Sequence, residues 1–132
     1  MQKRRVILAD DDIDDREMFE EILAGNPQVD LIGGVENGQE LLARLGDLET
    51  AALPDLIVLD HNMPKMNGLQ TLEALKKDDR FKDIPAVMFS TYCDSKLIEQ
   101  SEALGAALVF TKPSSFDEYQ QMIHDFLAII PN

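Results

Sequence analysis

Four apolar stretches of this sequence run directly into polar side chains that could carry out chemistry together. The polar groups that follow the four stretches are Asp10 with Asp11, Asp60, Ser90 with Thr91, and Lys112. Carboxylates that lie a few ångströms apart raise one another's pKa, and a hard divalent cation such as Mg²⁺ removes this conflict. A lysine adds a positive charge for an anion, and a hydroxyl adds a neutral donor. Such a set is suited to the transfer of a phosphoryl group to a carboxylate.

The elements that must position these groups are strands of a parallel sheet. Residues 56–59 have the sequence Leu-Ile-Val-Leu and are bounded by Pro54 and by a loop that contains Pro64 and Gly68. An unbroken apolar run of this kind predicts a strand that is buried on both faces. Helical patterns alternate with such strands along the whole sequence, which predicts right-handed crossovers with helices on both faces of the sheet. All strands would then end at one edge of the sheet, where the polar groups meet.

The sequence predicts five strands, each followed by a helix. The strands are expected at residues 6–9, 29–35, 56–60, 86–89 and 107–111, and the helices at 14–24, 40–48, 68–77, 96–104 and 116–130. One of the acidic residues Asp12, Asp14 and Asp15 is expected to cap the first helix, because carboxylates suit a helix N-terminus.

The last predicted helix carries two apolar stripes. The stripe that we expect to face the core consists of Phe116, Tyr119, Ile123, Leu127 and Ile130, and a second stripe beside it consists of Met122, Phe126 and Ile129. Together they exceed the arc of about 100° that an amphipathic surface helix needs. The second stripe is therefore either additional core or an exposed interface. In the second case a homodimer, or a complex with another protein, would use this helix, the fifth strand and the fourth helix.

The composition predicts one globular domain over residues 1–132 and argues against several kinds of partner. The 12 Lys and Arg are outnumbered by 25 Asp and Glu, and the resulting net charge of −13 disfavours nucleic-acid binding. No apolar stretch is long enough to span a bilayer, and the apolar run near the N-terminus is too short for a signal peptide. A single cysteine, Cys93, fits a reducing compartment. We therefore expect a cytoplasmic protein that binds neither nucleic acid nor membrane.

Several motifs at the predicted strand ends resemble those of bacterial response-regulator receiver domains. The motifs are Ala9-Asp10-Asp11, Leu59-Asp60 with Asn62-Met63-Pro64 and Gly68, Ser90-Thr91, and Lys112-Pro113. The resemblance covers essentially the whole chain. It implies a flavodoxin-like, doubly wound parallel sheet with strand order 2-1-3-4-5. It also implies a stand-alone receiver domain that has no output domain of its own.

The resemblance assigns a role to each polar group. Asp60 would accept a phosphoryl group from a phosphohistidine of a sensor histidine kinase or phosphotransfer protein. Asp11 and Asp60 would bind Mg²⁺ through their carboxylates, Asn62 through its backbone carbonyl, and Asp10 through water. Lys112 would pair with the aspartyl phosphate. Such a protein is not an enzyme beyond its own phosphorylation and dephosphorylation.

Further expectations concern the switch that follows phosphorylation. Ser90 occupies the position of the family's switch hydroxyl, and Thr91 stands where the family usually has a small residue, which would slow access to the phosphate. The resemblance also implies a cis peptide between Lys112 and Pro113. The family often has an aromatic residue three positions before the lysine, whereas this chain has Val109 there. Because strand residues alternate between faces, Phe110 cannot take that role.

Three alternatives to a phosphorylated receiver, and two ways in which such a receiver could act, remain open from the sequence. Residues 10–21 resemble a calcium-binding loop, but the glycine required at its sixth position is absent. The Asp-x-Asp motif at residues 10–12 also resembles that of haloacid-dehalogenase-type phosphatases, which would leave Asp60 without a role. A receiver-like scaffold that is never phosphorylated is a third possibility. A phosphorylated receiver could itself act in two ways, either as a switch that binds an unknown downstream protein or as an intermediate carrier that passes phosphate to a histidine phosphotransfer protein.

Overall fold

The fold is organised around a five-stranded parallel sheet. A computed structural model describes residues 3–130 of the chain. The strands are β1 (Arg4–Ala9), β2 (Val29–Val35), β3 (Leu56–Asp60), β4 (Ala86–Ser90) and β5 (Leu108–Thr111). They are hydrogen-bonded in the order β2-β1-β3-β4-β5, which confirms the predicted flavodoxin-like topology. This order makes β1 and β3 neighbours, so the acidic residues that follow them lie side by side.

Five α-helices connect the strands, as predicted. They are α1 (Ile13–Ala24), α2 (Gly38–Gly46), α3 (Gly68–Lys76), α4 (Ser95–Ala103) and α5 (Phe116–Ile129), and a short 3-10 helix that was not predicted spans Thr50–Ala52. Each α-helix begins after a side chain that accepts a hydrogen bond from a backbone N–H of the first turn; the five capping residues are Asp12, Asn37, Asn67, Asp94 and Ser115. These caps satisfy donors that have no partner within the helix, which fixes where each helix begins.

The sheet is buried on both faces. Along β1, Val6 and Leu8 point to one face, while Ile7 and Ala9 point to the other. The first face packs against α1 and α5, and the second packs against α2 and α3. The central strand β3 is fully buried from Leu56 to Asp60, as its unbroken apolar pattern predicted. The polar end of β3 is therefore held by a rigid core.

Helix α5 buries most of the apolar residues expected in the core, but not Phe116. Phe116, expected in the core, is 56% exposed, whereas Phe126 is only 2% exposed. The Phe126 ring packs edge-on against Phe110, with 5.0 Å between the ring centroids. Met122 is buried as well. The residues of the first stripe that are buried as predicted are Tyr119, Ile123 and Ile130. Both stripes therefore contribute to the core, and the alternative in which Phe126 forms an exposed interface is wrong.

The described residues contain no candidate for a membrane-spanning helix. None of the helices within residues 3–130 combines the length and the apolar character that a bilayer crossing requires.

Candidate functional site

Three carboxylates meet at the end of the sheet where the strands terminate. Ala9 pairs with Leu59 in the β1–β3 ladder, so Asp10 and Asp11 leave β1 at the level at which Asp60 ends β3. One carboxylate oxygen from each of the three acids lies within 4.8 Å of the other two. Asp10 and Asp60 are buried, whereas Asp11 is exposed. The predicted convergence is therefore present, and its all-oxygen ligand set fits a hard cation such as Mg²⁺ with room for water ligands.

Lys112 reaches this carboxylate cluster from β5. Its backbone N–H donates a hydrogen bond to the Ser90 carbonyl at 2.8 Å, which continues the β4–β5 ladder by one residue. Its Nζ lies 2.9 Å from Asp10 Oδ2 and 3.4 Å from Asp60 Oδ2. The ammonium also lies 5.4 Å from the centre of the Phe89 ring, whose face favours a cation. A positive charge is thus fixed beside the buried carboxylates.

Burial sets the protonation of the acceptor carboxyl. Burial and the neighbouring charge of Asp10 raise the pKa of Asp60 to about 7, although Lys112 and the Asn62 N–H oppose this shift. For Lys112, burial acts to lower the pKa, but hydrogen bonding to Asp15 and the proximity of Asp10 outweigh it, and the net shift is upward. The lysine therefore stays charged. Without a further cation, one positive charge does not balance the carboxylates around it.

A buried hydroxyl without a partner lies next to this cluster. Ser90 is the last residue of β4 and is fully buried, yet its Oγ has no hydrogen-bond partner among residues 3–130. A buried hydroxyl left without a partner costs about 1–3 kcal/mol, so the Ser90 Oγ favours any acceptor that comes within its reach. A phosphoryl oxygen on Asp60 would be a suitable acceptor. Thr91, the neighbouring candidate, is exposed, and no described contact gives it a role.

The loop after β3 brings backbone groups to the acceptor. The Asn62 N–H lies 3.4 Å from Asp60 Oδ1, and the Gly68 N–H donates to the His61 carbonyl at 3.0 Å, which closes the loop. Buried Met63 anchors the loop in the core. The Asn62 carbonyl is near enough in the chain to serve as a metal ligand, and that role remains a prediction.

Replacing Gly68 by alanine is expected to disturb this loop. A Cβ at residue 68 would lie 2.7 Å from the Asp60 carbonyl oxygen and 2.8 Å from the His61 Cα, both of which are backbone atoms. We expect Gly68→Ala to lose about 1–3 kcal/mol in the free energy of unfolding, measured by urea denaturation. Gly46→Ala at the end of α2 is the control, because a Cβ there meets nothing within 4 Å. Equal stabilities of the two variants would mean that the loop can relax around a methyl group.

Two further expectations are decided by the structure. Residues 3–130 contain no cis peptide bond, so the expected cis bond between Lys112 and Pro113 is wrong. Val109 and Phe110 do pack on opposite faces of the sheet, as strand alternation required. Phe110 therefore cannot substitute for the absent aromatic residue at position 109.

The sequence reasoning missed one residue of the site. Asp15, considered only as a possible helix cap, lies 2.7 Å from Lys112 Nζ through its Oδ2. The cap is Asp12, whose side chain accepts hydrogen bonds from the N–H groups of Asp14 and Asp15. The presence of more acids in the first turn than a cap needs was the only signal in the sequence.

The alternative in which residues 10–21 form a calcium-binding loop is wrong. Its ligand positions would run from Asp10 to Glu21, but α1 begins at Ile13, so most of that segment is helical and cannot wrap around an ion. The phosphatase alternative left Asp60 without a role, whereas the structure places Asp60 in the same cluster as Asp10.

Comparison with known proteins agrees with this geometry. A family model described as the response regulator receiver domain matches residues 6–124. The chain is 27% identical to sporulation initiation phosphotransferase F of Bacillus subtilis, and the match covers the whole of both proteins. It is 35% identical to a protein-glutamate methylesterase/protein-glutamine glutaminase of Clostridium acetobutylicum, over 98% of this chain but only 36% of that protein.

Comparison with solved structures also finds response regulators. The phosphorylated cyanobacterial phytochrome response regulator RcpA superimposes with a TM-score of 0.83 and 29% identity, and the match covers 98% of this chain and 97% of that one. The chain spans only about a third of the length of the methylesterases that it matches (36% for the one from C. acetobutylicum), so their esterase activity is a property of those longer proteins.

Proposed function

This chain belongs to the response regulator receiver domain family, and from that premise we propose that Asp60 accepts a phosphoryl group from a histidine kinase or a histidine phosphotransfer protein. The observation that carries the proposal is the convergence of three carboxylates, one lysine and one buried hydroxyl at a single edge of the sheet. The carboxylates supply a nucleophile and metal ligands, while Lys112 and Ser90 supply groups that bind an anion. Together these groups make up the set that we propose for accepting and binding a phosphoryl group.

The residues act on the phosphoryl group in a simple sequence. A bond forms between an Asp60 carboxylate oxygen and phosphorus as the phosphorus–nitrogen bond of the phosphohistidine breaks, and the imidazole leaves with the electron pair. Lys112 balances the charge of the resulting aspartyl phosphate, and the Ser90 hydroxyl donates to one of its oxygens. Asp11, Asp60 and the Asn62 carbonyl, with Asp10 acting through water, would hold Mg²⁺, which would supply the positive charge that keeps Asp60 ionised.

Phosphorylation would be communicated through the ends of β4 and β5. Ser90 ends β4 and Lys112 follows β5, so both groups can shift these strand ends when they engage a phosphate. The surface formed by α4, β5 and α5 adjoins both ends and is where we place the downstream partner or a second copy of the chain. Phe126 takes no direct part in such a contact, because it is buried.

A carrier role is the second candidate, and one observation favours it. The B. subtilis protein that matches the chain over its full length is named a phosphotransferase. A carrier would pass its phosphoryl group to the histidine of a phosphotransfer protein, whereas a switch would keep it and bind a target. Mixing phosphorylated protein with a histidine phosphotransfer protein, and following the label by gel, separates the two roles.

The first test is phosphorylation by a small donor. With acetyl phosphate and Mg²⁺, intact-mass measurement is expected to find one phosphoryl adduct on the wild type and none on Asp60→Asn, because the amide is not a nucleophile. Asp79→Asn is the control, since the Asp79 side chain is 97% exposed and lies beyond α3, at the other end of the sheet. An adduct that persists in Asp60→Asn would overturn the assignment of the acceptor.

A further inference from the structure

The ammonium of Lys112 lies closer to Asp15 than to the proposed acceptor. Its Nζ is 2.7 Å from Asp15 Oδ2, 2.9 Å from Asp10 Oδ2 and 3.4 Å from Asp60 Oδ2. The contact with Asp15 is the shortest of the three, and it has hydrogen-bond geometry. Resting on the proposed function, we infer that Asp15 is a positioning residue that holds Lys112 in the unphosphorylated protein and competes for its ammonium with a phosphoryl group on Asp60.

The contact with Asp15 is suited to this role because it is only partly shielded. The side chain of Lys112 is 9% exposed and that of Asp15 is 29% exposed, so the pair is neither a solvated surface contact nor a fully buried one. A partly shielded charge-assisted hydrogen bond is strong enough to place the ammonium, yet its carboxylate can be resolvated when it is released. Asp60 and Asp10, being buried, have no such access to water.

Helix capping does not explain Asp15. The N-terminal donors of α1 are satisfied by Asp12, and Asp14 already supplies a second acid in the first turn. Asp14 is exposed and belongs to none of the ion pairs described for Lys112. Asp15 therefore differs from its neighbour Asp14 in that it contacts Lys112.

The free energy of moving the Lys112 ammonium from Asp15 to a phosphoryl group on Asp60 depends on the charge of Asp15. An ammonium has three N–H donors, and a phosphoryl group on Asp60 offers several charged oxygens that compete for them. Every hydrogen bond that Lys112 keeps with Asp15 is withheld from the phosphoryl group. Removing the Asp15 charge therefore favours the phosphorylated arrangement, since the lysine no longer has to leave a charged partner. It also lets the lysine approach Asp60 in the resting state, where it competes with Mg²⁺.

The test compares Asp15→Asn with Asp14→Asn in binding beryllofluoride, a noncovalent mimic of the phosphoryl group, at saturating Mg²⁺. Both variants lose one negative charge from the same helical turn, so the change in net charge is matched. We expect Asp15→Asn to bind beryllofluoride about three- to tenfold more tightly than Asp14→Asn, which corresponds to the net contribution of one ordinary hydrogen bond, because the partly exposed Asp15 carboxylate is resolvated on release. Without beryllofluoride, Asp15→Asn is expected to bind Mg²⁺ more weakly than Asp14→Asn.

A control repeats the comparison in a Lys112→Met background. The two double variants should bind beryllofluoride with equal affinity, because the residue through which Asp15 acts is gone.

Equal beryllofluoride affinities of Asp15→Asn and Asp14→Asn, or a weaker affinity of Asp15→Asn, would overturn the inference. A difference that persists in Lys112→Met would overturn it as well, since Asp15 would then act without the lysine. Labelling with acetyl phosphate keeps these failures apart from failure of the proposed function. If wild type and Asp15→Asn are both labelled on Asp60, the site functions and only the role of Asp15 is at stake; if wild type is not labelled, the proposed function itself is wrong.

Discussion

Asp60→Asn is expected to be more stable than the wild type at pH 8 in the absence of divalent cations. The pKa of Asp60 is raised from 3.8 to about 7, mainly by burial and then by Asp10. At pH 8 the wild-type carboxylate is charged in a buried site beside another carboxylate, whereas the amide is neutral. A pKa that is higher by about 3 corresponds to about 4 kcal/mol in the free energy of unfolding. Because Asp60 also interacts with Asp10 and Lys112, we expect Asp60→Asn to be more stable than the wild type by about 2–4 kcal/mol.

The sign of the pH dependence follows from proton binding. Between the unfolded pKa of 3.8 and the folded value of about 7, the folded wild type binds more protons at Asp60 than the unfolded chain does. This contribution to wild-type stability is therefore fully present below pH 4 or so and is lost as the pH rises through about 7. The advantage of Asp60→Asn should be small near pH 4 and reach its full size by pH 8.

Thermal or urea unfolding across this pH range measures the effect. Asp79→Asn removes an exposed carboxylate and is expected to change stability by no more than about 0.5 kcal/mol at any pH. Added Mg²⁺ should raise the stability of the wild type more than that of Asp60→Asn, because the variant has lost a ligand and already lacks the charge that the cation balances. An Asp60→Asn variant that is less stable than the wild type at pH 8 would contradict the prediction.

Phe126→Glu is expected to unfold the protein, whereas Phe116→Glu is expected to leave it folded. Both residues are on α5, but Phe126 is 2% exposed and Phe116 is 56% exposed. Removing a buried phenylalanine costs about 3–5 kcal/mol, and an unpaired buried carboxylate adds to that cost. The total approaches or exceeds the 5–15 kcal/mol that typically separates folded from unfolded domains. Phe116 begins the helix, where a carboxylate suits the helix N-terminus.

Circular dichroism and urea denaturation distinguish the two outcomes. We expect Phe116→Glu to lie within about 0.5 kcal/mol of the wild type. A Phe126→Glu protein with wild-type stability would mean that the Phe126 ring is not packed in the core. Loss of folding in Phe116→Glu would instead restore the original prediction that this residue belongs to the core stripe.

The sequence determined the order of the elements and the location of the chemistry. Unbroken apolar runs such as residues 56–59, bounded by prolines and glycines, predict strands covered on both faces, and their alternation with helical patterns predicts a parallel sheet. Parallel strands end at one edge, so the polar residues after β1, β3, β4 and β5 had to gather there. The helix bounds predicted from the apolar pattern differ from the observed ones by at most two positions, as for α2, predicted at 40–48 and found at 38–46.

Only the tertiary structure decided which apolar residues of α5 face the sheet and which acid holds Lys112. Periodicity shows that Phe116 and Phe126 are both apolar positions of one helix, but the direction in which the helix crosses the sheet decides which of them is covered. Phe116 begins α5 at the edge where the strands stop, and Phe126 lies a further ten residues along, against Phe110. The contact between Asp15 and Lys112 joins residues 97 positions apart, and sequence spacing carries no information about it. That contact forms because α1 packs against the sheet to which β5 belongs, and this arrangement exists only in the folded protein.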